Sequence, residues 1–412
     1  MQTKSYHFVY FLLHPFFTLL YFLKNFRKKN TKNVIWLFSI FFGMTIAVGN
    51  ESKGSDIVRY MEELSLLYNN SFNFDRIIGY FISRGEIDIL RTVLSITVSR
   101  FTDNGYYLLI VYATIFGYFF SRNMCFVLER LQGKIKPIIL ILLVCLFLII
   151  PLWNMGGFRF WTASHIFIYG SLHYFYKYKT KRVFWAFLTP FLVHYAFLLP
   201  ALLLLIHIIS GPRLKIYYFI FIASIFISEI NIEALNNIIE NYAPEYFQER
   251  TESYRSVTAL EKFEDLKSSS SIVWYAEYQK KFIAWPIMLV LVMSFWVFKQ
   301  ALRNDKNIYR IFSFTYLFFG VSNIFANLPS GGRFQSVAIL FSLSVLIIFL
   351  QNKSYDKLIV NTLKLSSPLL FLFIIVSIRE GFYLTSLMTM IGNPIFAMFS
   401  IGENISLNDI IK

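Results

Sequence analysis

The sequence predicts an all-α polytopic membrane protein, with about 11–12 transmembrane helices and two long extracytoplasmic segments carrying amphipathic helices. Three observations predict it. The 412 residues are 56% hydrophobic and 19% aromatic, with a mean hydropathy of +0.54, more apolar surface than a soluble domain buries. Apolar runs of about 17–25 residues recur, the length needed to cross a hydrocarbon core, and they do not alternate as barrel strands do. Finally, 22 of the 39 Lys and Arg crowd into a few short gaps between those runs, while Asp and Glu fall in the others.

Taken in order, the runs cover roughly 5–23, 33–49, 106–121, 137–152, 159–176, 183–209, 215–229, 282–298, 311–327, 334–351 and 365–383. The first, Tyr6–Leu23, has no small-residue cleavage site and ends in a basic cluster, so it reads as a retained helix. Lys24, Arg27, Lys28, Lys29 and Lys32 make the following loop cytoplasmic by the positive-inside rule. Alternation then puts 122–136 and 177–182 inside as well. Run 183–209 is long for one helix and short for two, and it holds Pro190 and Pro200, each able to break a helix. If it goes out and returns, the basic gaps around Arg213, Lys299–Arg310 and 352–364 also face in. Only Glu129, Asp305 and Asp356 then accompany the 22 cytoplasmic basic residues. This pattern favours a tight hairpin with His194 near its outer tip.

The whole chain, 1–412, reads as one integral membrane domain with extracytoplasmic segments at 50–105 and 230–281. The first begins with an amphipathic helix: Ser55 is the expected N-cap, Ile57, Tyr60, Met61, Leu64, Leu67 and Tyr68 form the apolar face, and Asp56, Arg59 and Glu63 lie opposite. Residues 87–101 are also amphipathic, although 93–98 would alternate as a strand. The second segment has a helix-like stretch at 232–242, a serine run at 268–271, then Trp274, Tyr275 and Tyr278. The net charge of +15 is a topology signal, and no nucleic-acid motif accompanies it. Cys125 and Cys145 offer neither a disulfide framework nor metal spacing, so no metal or other cofactor is expected.

The candidate site residues are polar groups at the outer ends of spans. Arg159 follows Asn154-Met-Gly-Gly-Phe, and Arg333 follows Pro329-Ser-Gly-Gly, so two Gly-Gly-x(0–1)-Arg segments open two outer helix starts. Each arginine alone would serve as an interfacial anchor. Together, on one face, they read as an anion site, because forked guanidinium donors suit a phosphate or pyrophosphate. His194 lies in apolar sequence between the two prolines, where a structural histidine bonded to a carbonyl competes with a functional one. His165, His173 and His207 read as structural or interfacial. Asp56, Arg59 and Tyr60 open the first outer helix, with Arg59 expected to pair with Glu62 or Glu63. Glu86 and Asp88 are the next carboxylates. Trp274, Tyr275 and Tyr278 read as an interfacial aromatic belt, with sugar stacking as the alternative.

These elements resemble the EpsG family of bacterial exopolysaccharide proteins, a branch of the Wzy-type polysaccharide polymerases. The resemblance rests on Asp56-x-x-x-Tyr60, Glu86 before an apolar stretch, Arg159-Phe-Trp-Thr-Ala163, His194-Tyr-Ala and Arg333-Phe334. The family usually carries a polar residue after the first arginine, where this chain has Phe160. The resemblance implies a multi-pass enzyme of the bacterial cytoplasmic (inner) membrane, active at its extracytoplasmic face. It would be a metal-independent glycosyltransferase without cofactors. It would join undecaprenyl-pyrophosphate-linked oligosaccharide repeat units into capsular polysaccharide, exopolysaccharide or O-antigen, alongside flippase and chain-length regulator proteins in the lipid bilayer. Arg159 and Arg333 would hold the leaving pyrophosphate, with Arg59 and Tyr60 as further substrate contacts. His194 would be the first choice of base, with Asp56 and Glu86 behind it. The competing readings are an O-antigen-ligase-like transferase and, as a non-enzyme, a lipid-linked-oligosaccharide flippase or other transporter.

Overall fold

The structure, a computed structural model, describes residues 7–28, 30–49, 55–69, 88–176, 181–227, 241, 248, 274–326, 328, 330–352 and 356–411. Glu86, the helix-like stretch at 232–242 apart from Asn241, and the serine run at 268–271 lie outside these residues. Among the described residues the chain is all-α, with no strand and one isolated bridge between Ser386 and Ser406.

The helices are, in order, α1 (His7–Leu13), α2 (Pro15–Lys24), α3 (Thr31–Thr45), α4 (Asp56–Asn69), α5 (Ile89–Val98), α6 (Gly105–Leu128) and α7 (Pro137–Leu148). Next come α8 (Phe158–Tyr176), α9 (Phe184–Leu192), α10 (Leu198–Ser210), α11 (Leu214–Phe226), α12 (Trp274–Val297) and α13 (Lys299–Asn304). The remainder are α14 (Lys306–Phe325), α15 (Gly332–Asn352), α16 (Lys357–Leu365), α17 (Ser367–Phe382), α18 (Leu387–Ile391), α19 (Pro394–Phe399) and α20 (Leu407–Ile411). Each expected span coincides with a helix or a pair of helices. By length and composition, five stretches among the described residues suffice to cross a membrane: Gly105–Leu128, Pro137–Tyr176, Tyr278–Val297, Lys306–Phe325 and Gly332–Asn352. A sixth results if α16 and α17, bent by 52° at Ser366, form one span. The charge pattern counts more crossings because it also counts shorter apolar helices, such as α2 and α11.

The chain divides into two compact units. The first comprises 1–131, 150–202 and 377–412, and the second comprises 132–149 and 203–376.

In the first unit α3 packs along α6, and Trp36 Nε1 donates to Thr114 O across that seam at 2.8 Å. α8 and α9 form an antiparallel pair. Gly170 makes their approach possible, since a Cβ there would lie 2.7 Å from the Ala186 backbone nitrogen. Counting from that contact at 1.5 Å per residue, Arg159 lies about 16 Å back along α8 and His194 about 12 Å forward. The pair therefore returns the chain to the level of Arg159. The break in 183–209 falls at Val193–His194, not at either proline: His194 is extended (φ −158°, ψ 117°) and a single 3-10 turn, Tyr195–Phe197, precedes α10. Pro190 sits in the last turn of α9, where its missing N–H removes one ladder bond, and Pro200 sits in the first turn of α10, where none is needed. The C-terminal tail packs back on α1–α3, with Ala397 buried in a cluster that includes Phe11, Phe22, Phe38 and Phe41.

In the second unit α11 packs on α14, α14 packs on α15, and α15 is buried almost throughout. Tyr316 and Ser294 share a buried hydrogen bond at 2.8 Å. Asn323 donates to Ser224 and accepts from Gln335 at 2.9 Å. Trp274 opens α12 with 60% of its surface exposed.

Candidate functional site

Three elements of the first unit build the site: α4, α5 and the start of α8. The apolar period of α4 buries Ile57, Tyr60, Leu64 and Leu67, as expected. Ile57 reaches the 3-10 turn Leu152–Gly157 that leads into α8, and a Cβ on Gly156 would lie 2.3 Å from Ile57 Cδ1. The first Gly-Gly step therefore admits a neighbouring helix. This contact lays α4 over the beginning of α8 and brings Tyr60 to Arg159.

Arg159 is held from two sides. Its Nε donates to the Tyr60 hydroxyl at 3.1 Å, and its Nη1 donates to Asp88 Oδ2 at 2.9 Å. Its Nη2 has no partner among the described residues and remains available to a ligand. Asp88 is a hub. Its Oδ1 accepts the Tyr195 backbone N–H at 3.3 Å and stands 3.5 Å from His194 Nδ1, too poorly aligned for a hydrogen bond. Burial alone would raise the Asp88 carboxyl pKa. His194, Arg159 and the Tyr195 amide outweigh burial and hold it below the ordinary carboxylate value. Burial raises the Tyr60 phenol, partly offset by Arg159. Arg159 and His194 thus meet through one carboxylate. Phe160, which replaces the polar residue of the family pattern, is buried and lies edge-on to the His194 ring at 5.7 Å.

A second ion pair stands beside the first. Arg91 Nη1 is 2.5 Å from Glu63 Oε2, and the Arg91 side chain is only 3% exposed. The Arg91 guanidinium lies 5.1 Å from the Tyr60 ring centre, and that of Arg59 lies 5.7 Å from it, both within cation–π range. Tyr60 is backed by Tyr112, which stacks on Phe158 at 3.9 Å. Together these groups line a cavity of about 360 Å³ whose walls carry Arg59, Arg91 and Arg159 with Tyr60, Glu62 and Glu63. Each of the three guanidiniums is paired with a carboxylate, Arg59 with Asp56, Arg91 with Glu63 and Arg159 with Asp88.

The residues expected from sequence distribute as follows. Arg159, Arg59 and Tyr60 line this cavity, and His194 stands behind it on Asp88. Asp56 is engaged by Arg59 at 2.5 Å, in place of the Glu62 or Glu63 pairing anticipated for that arginine. Glu63 is buried against Arg91, although the helical pattern assigned it to the solvated face. Arg333 is exposed in the first turn of α15 in the second unit, preceded by a tight turn in which Ser330 adopts a positive φ of 61°. A Cβ on Gly331 would lie 1.7 Å from Phe325 O, so this Gly-Gly step makes a turn and does not repeat the packing at Gly156. Arg91 was missed. Its signal is a lone guanidinium inside the apolar run Ile89–Val98, a residue type that is buried only when paired. His165 and His173 pack among aromatic rings in the first unit, and His207 does so in the second.

The fold is that of a polytopic all-α membrane protein, with an arginine-lined cavity in its first unit. The chain belongs to the EpsG family, which matches residues 34–385. Membership suggests an exopolysaccharide-related polymerase role. No curated protein and no solved structure matches the chain.

Proposed function

We propose that the protein is a Wzy-type polymerase, which extends a polysaccharide from repeat units carried on undecaprenyl pyrophosphate at the extracytoplasmic face of the bacterial cytoplasmic membrane. The single observation that carries the reading is the arginine cavity. Arg159, oriented by Tyr60 and Asp88, has an uncommitted nitrogen, and Arg91 and Arg59 share the cavity with it.

In this reading an acceptor sugar hydroxyl attacks the anomeric carbon of the donor chain. The bond from that carbon to the lipid pyrophosphate oxygen breaks, and the pyrophosphate leaves with the bonding electrons. Guanidiniums already fixed in place stabilise the developing charge without reorganising, and each such donor contributes about 3–4 kcal/mol. His194 takes the acceptor proton, with the Asp88 carboxylate 3.5 Å from its Nδ1 to favour the imidazolium that forms. Asp56 is occupied by Arg59, and in this reading His194 is the first choice of base, with Glu86, which lies outside the described residues, behind it. Arg333 is a separate proposed contact to the leaving group. The distribution of basic residues between spans supports an outward-facing site.

The test is purified protein with lipid-linked repeat units. A ladder of longer glycans is expected from wild type, and none from Arg159→Ala expressed at equal level. A full ladder from Arg159→Ala removes the leaving-group role of this cavity. Arg333→Ala tests the second contact in the same assay.

A further inference from the structure

Helix α5 is inside out for a helix in water. Ile89, Val93 and Thr97 recur every fourth residue and form its outward face, with Ile89 42% and Val93 44% exposed. Arg91, Thr92 and Ser95 occupy the opposite face and are buried, as is Ser99 just past the helix end. The positions between the two faces, Leu90, Leu94, Ile96 and Val98, are half-buried and all apolar. A helix that meets water carries the reverse pattern. The neighbouring α4 shows that reverse pattern over its first half, where Ile57 and Tyr60 are buried and Arg59 and Glu62 are exposed.

The outward face of α5 also needs nothing from water. Thr97 Oγ1 donates to Val93 O at 2.7 Å, four residues back, so the exposed hydroxyl is satisfied within the helix. The one charged side chain between Ile89 and Val98, Arg91, is turned inward and paired with Glu63 at 2.5 Å. Charges at membrane depth are held in this way, facing the protein interior and paired. α5 packs on α6, which is long and apolar enough to cross a membrane, and on α9, whose Phe191 is also exposed. Its ten residues extend about 15 Å, half the thickness of a hydrocarbon core, so α5 can enter a bilayer but not cross it.

We infer that α5 is inserted part-way into the bilayer, with Ile89, Val93 and Thr97 against lipid acyl chains, and forms a wall between the lipid and the arginine cavity. Its two faces then have separate partners: hydrocarbon outside, and inside the cavity to which it supplies Arg91. The distribution of basic residues assigns this insertion to the outer leaflet. The insertion stands on α5 alone. On the polymerase reading, on which this last step rests, the pyrophosphate is met at the membrane surface while the polyprenyl chain stays in the bilayer.

The experiment places a bimane label at Ile89→Cys, Val93→Cys and Thr97→Cys, one at a time, in full-length protein in phosphatidylcholine nanodiscs. Glu62→Cys on α4 is the water-facing control. Wild type, whose Cys125 and Cys145 are buried, sets the labelling background. Lipids carrying nitroxides on their acyl chains should quench the three α5 labels, and iodide in the buffer should quench the Glu62→Cys label but not these three. Three positions on one face, each required to keep the wild-type thermal midpoint, guard against a variant that misfolds. Quenching of the α5 labels by iodide and not by lipid overturns the inference, because the face then meets water. Shielding from both quenchers also overturns it, because a protein surface then covers the face. The readout is independent of catalysis. Lipid quenching without a glycan ladder from wild type removes the polymerase reading and leaves the insertion. A ladder together with iodide quenching removes the insertion and leaves the polymerase.

Discussion

Asp88→Asn keeps the shape of the hub and removes its charge. The wild-type side chain is 5% exposed and sits 2.9 Å from Arg159 and 3.5 Å from His194. Removing one partner of a fully buried pair costs about 3–5 kcal/mol. Arg159 keeps 28% of its side-chain surface in solvent, so water recovers part of that, and about 2–3 kcal/mol remains. For a unit of this size, the loss corresponds to a fall of about 4–12 °C in the unfolding midpoint. The sign with pH follows from the depressed carboxyl. A group whose folded pKa lies below its unfolded value stabilises above the unfolded value, and that contribution is lost as pH falls through the folded one. The difference between wild type and Asp88→Asn should therefore be full at pH 7 and shrink below about pH 4. Tryptophan fluorescence of purified protein during heating, at both pH values, reads it. Equal midpoints at pH 7, or a difference that persists undiminished in acid, would refute the hub. The same variant should slow glycan extension by about 10²-fold, the effect of losing alignment by roughly an ångström.

Arg91→Ala should destabilise the protein by about 3–5 kcal/mol, since it strands Glu63 in a buried position. The double variant Glu63→Ala with Arg91→Ala should cost less than the sum of the singles, read as a coupling energy in a denaturation cycle. Tyr60→Phe removes one acceptor from Arg159 Nε and should cost about 1.5–3 kcal/mol of stability, again by thermal midpoint. Gly156→Ala drives a methyl into Ile57 and should cost about 1–3 kcal/mol. Adding Ile57→Ala, which removes the clashing atoms, should cost less than the sum of the two single variants by thermal midpoint.

Much of this site could be read from the sequence, because its residues carry local signals. Tyr60 follows from the period of α4, Arg159 from a charge at the start of an apolar run, and His194 from a polar residue in apolar sequence near prolines. The rest depends on contacts between distant positions. Glu63 looks solvated within α4 and becomes buried only because Arg91 arrives 28 residues later. Composition does not rank Asp88 above the other carboxylates; its place immediately before α5, facing both Arg159 and Tyr195, does. The similar Gly-Gly-x(0–1)-Arg segments suggested two copies of one device, yet Gly156 admits Ile57 while Gly331 makes a turn against Phe325. The charge count favours a hairpin in 183–209 with His194 near its tip, and the chain does break there between helices of 9 and 13 residues, although at His194 and not at either proline.

The central claim is that the arginine cavity holds the pyrophosphate of a lipid-linked donor. Calorimetric titration of undecaprenyl pyrophosphate into the nanodisc-bound protein tests it most directly. Binding by wild type should weaken at least about tenfold in Arg159→Ala and in Arg91→Ala that retains its fold, the loss of a charge-assisted hydrogen bond. Equal affinity in wild type and both variants would contradict the assignment.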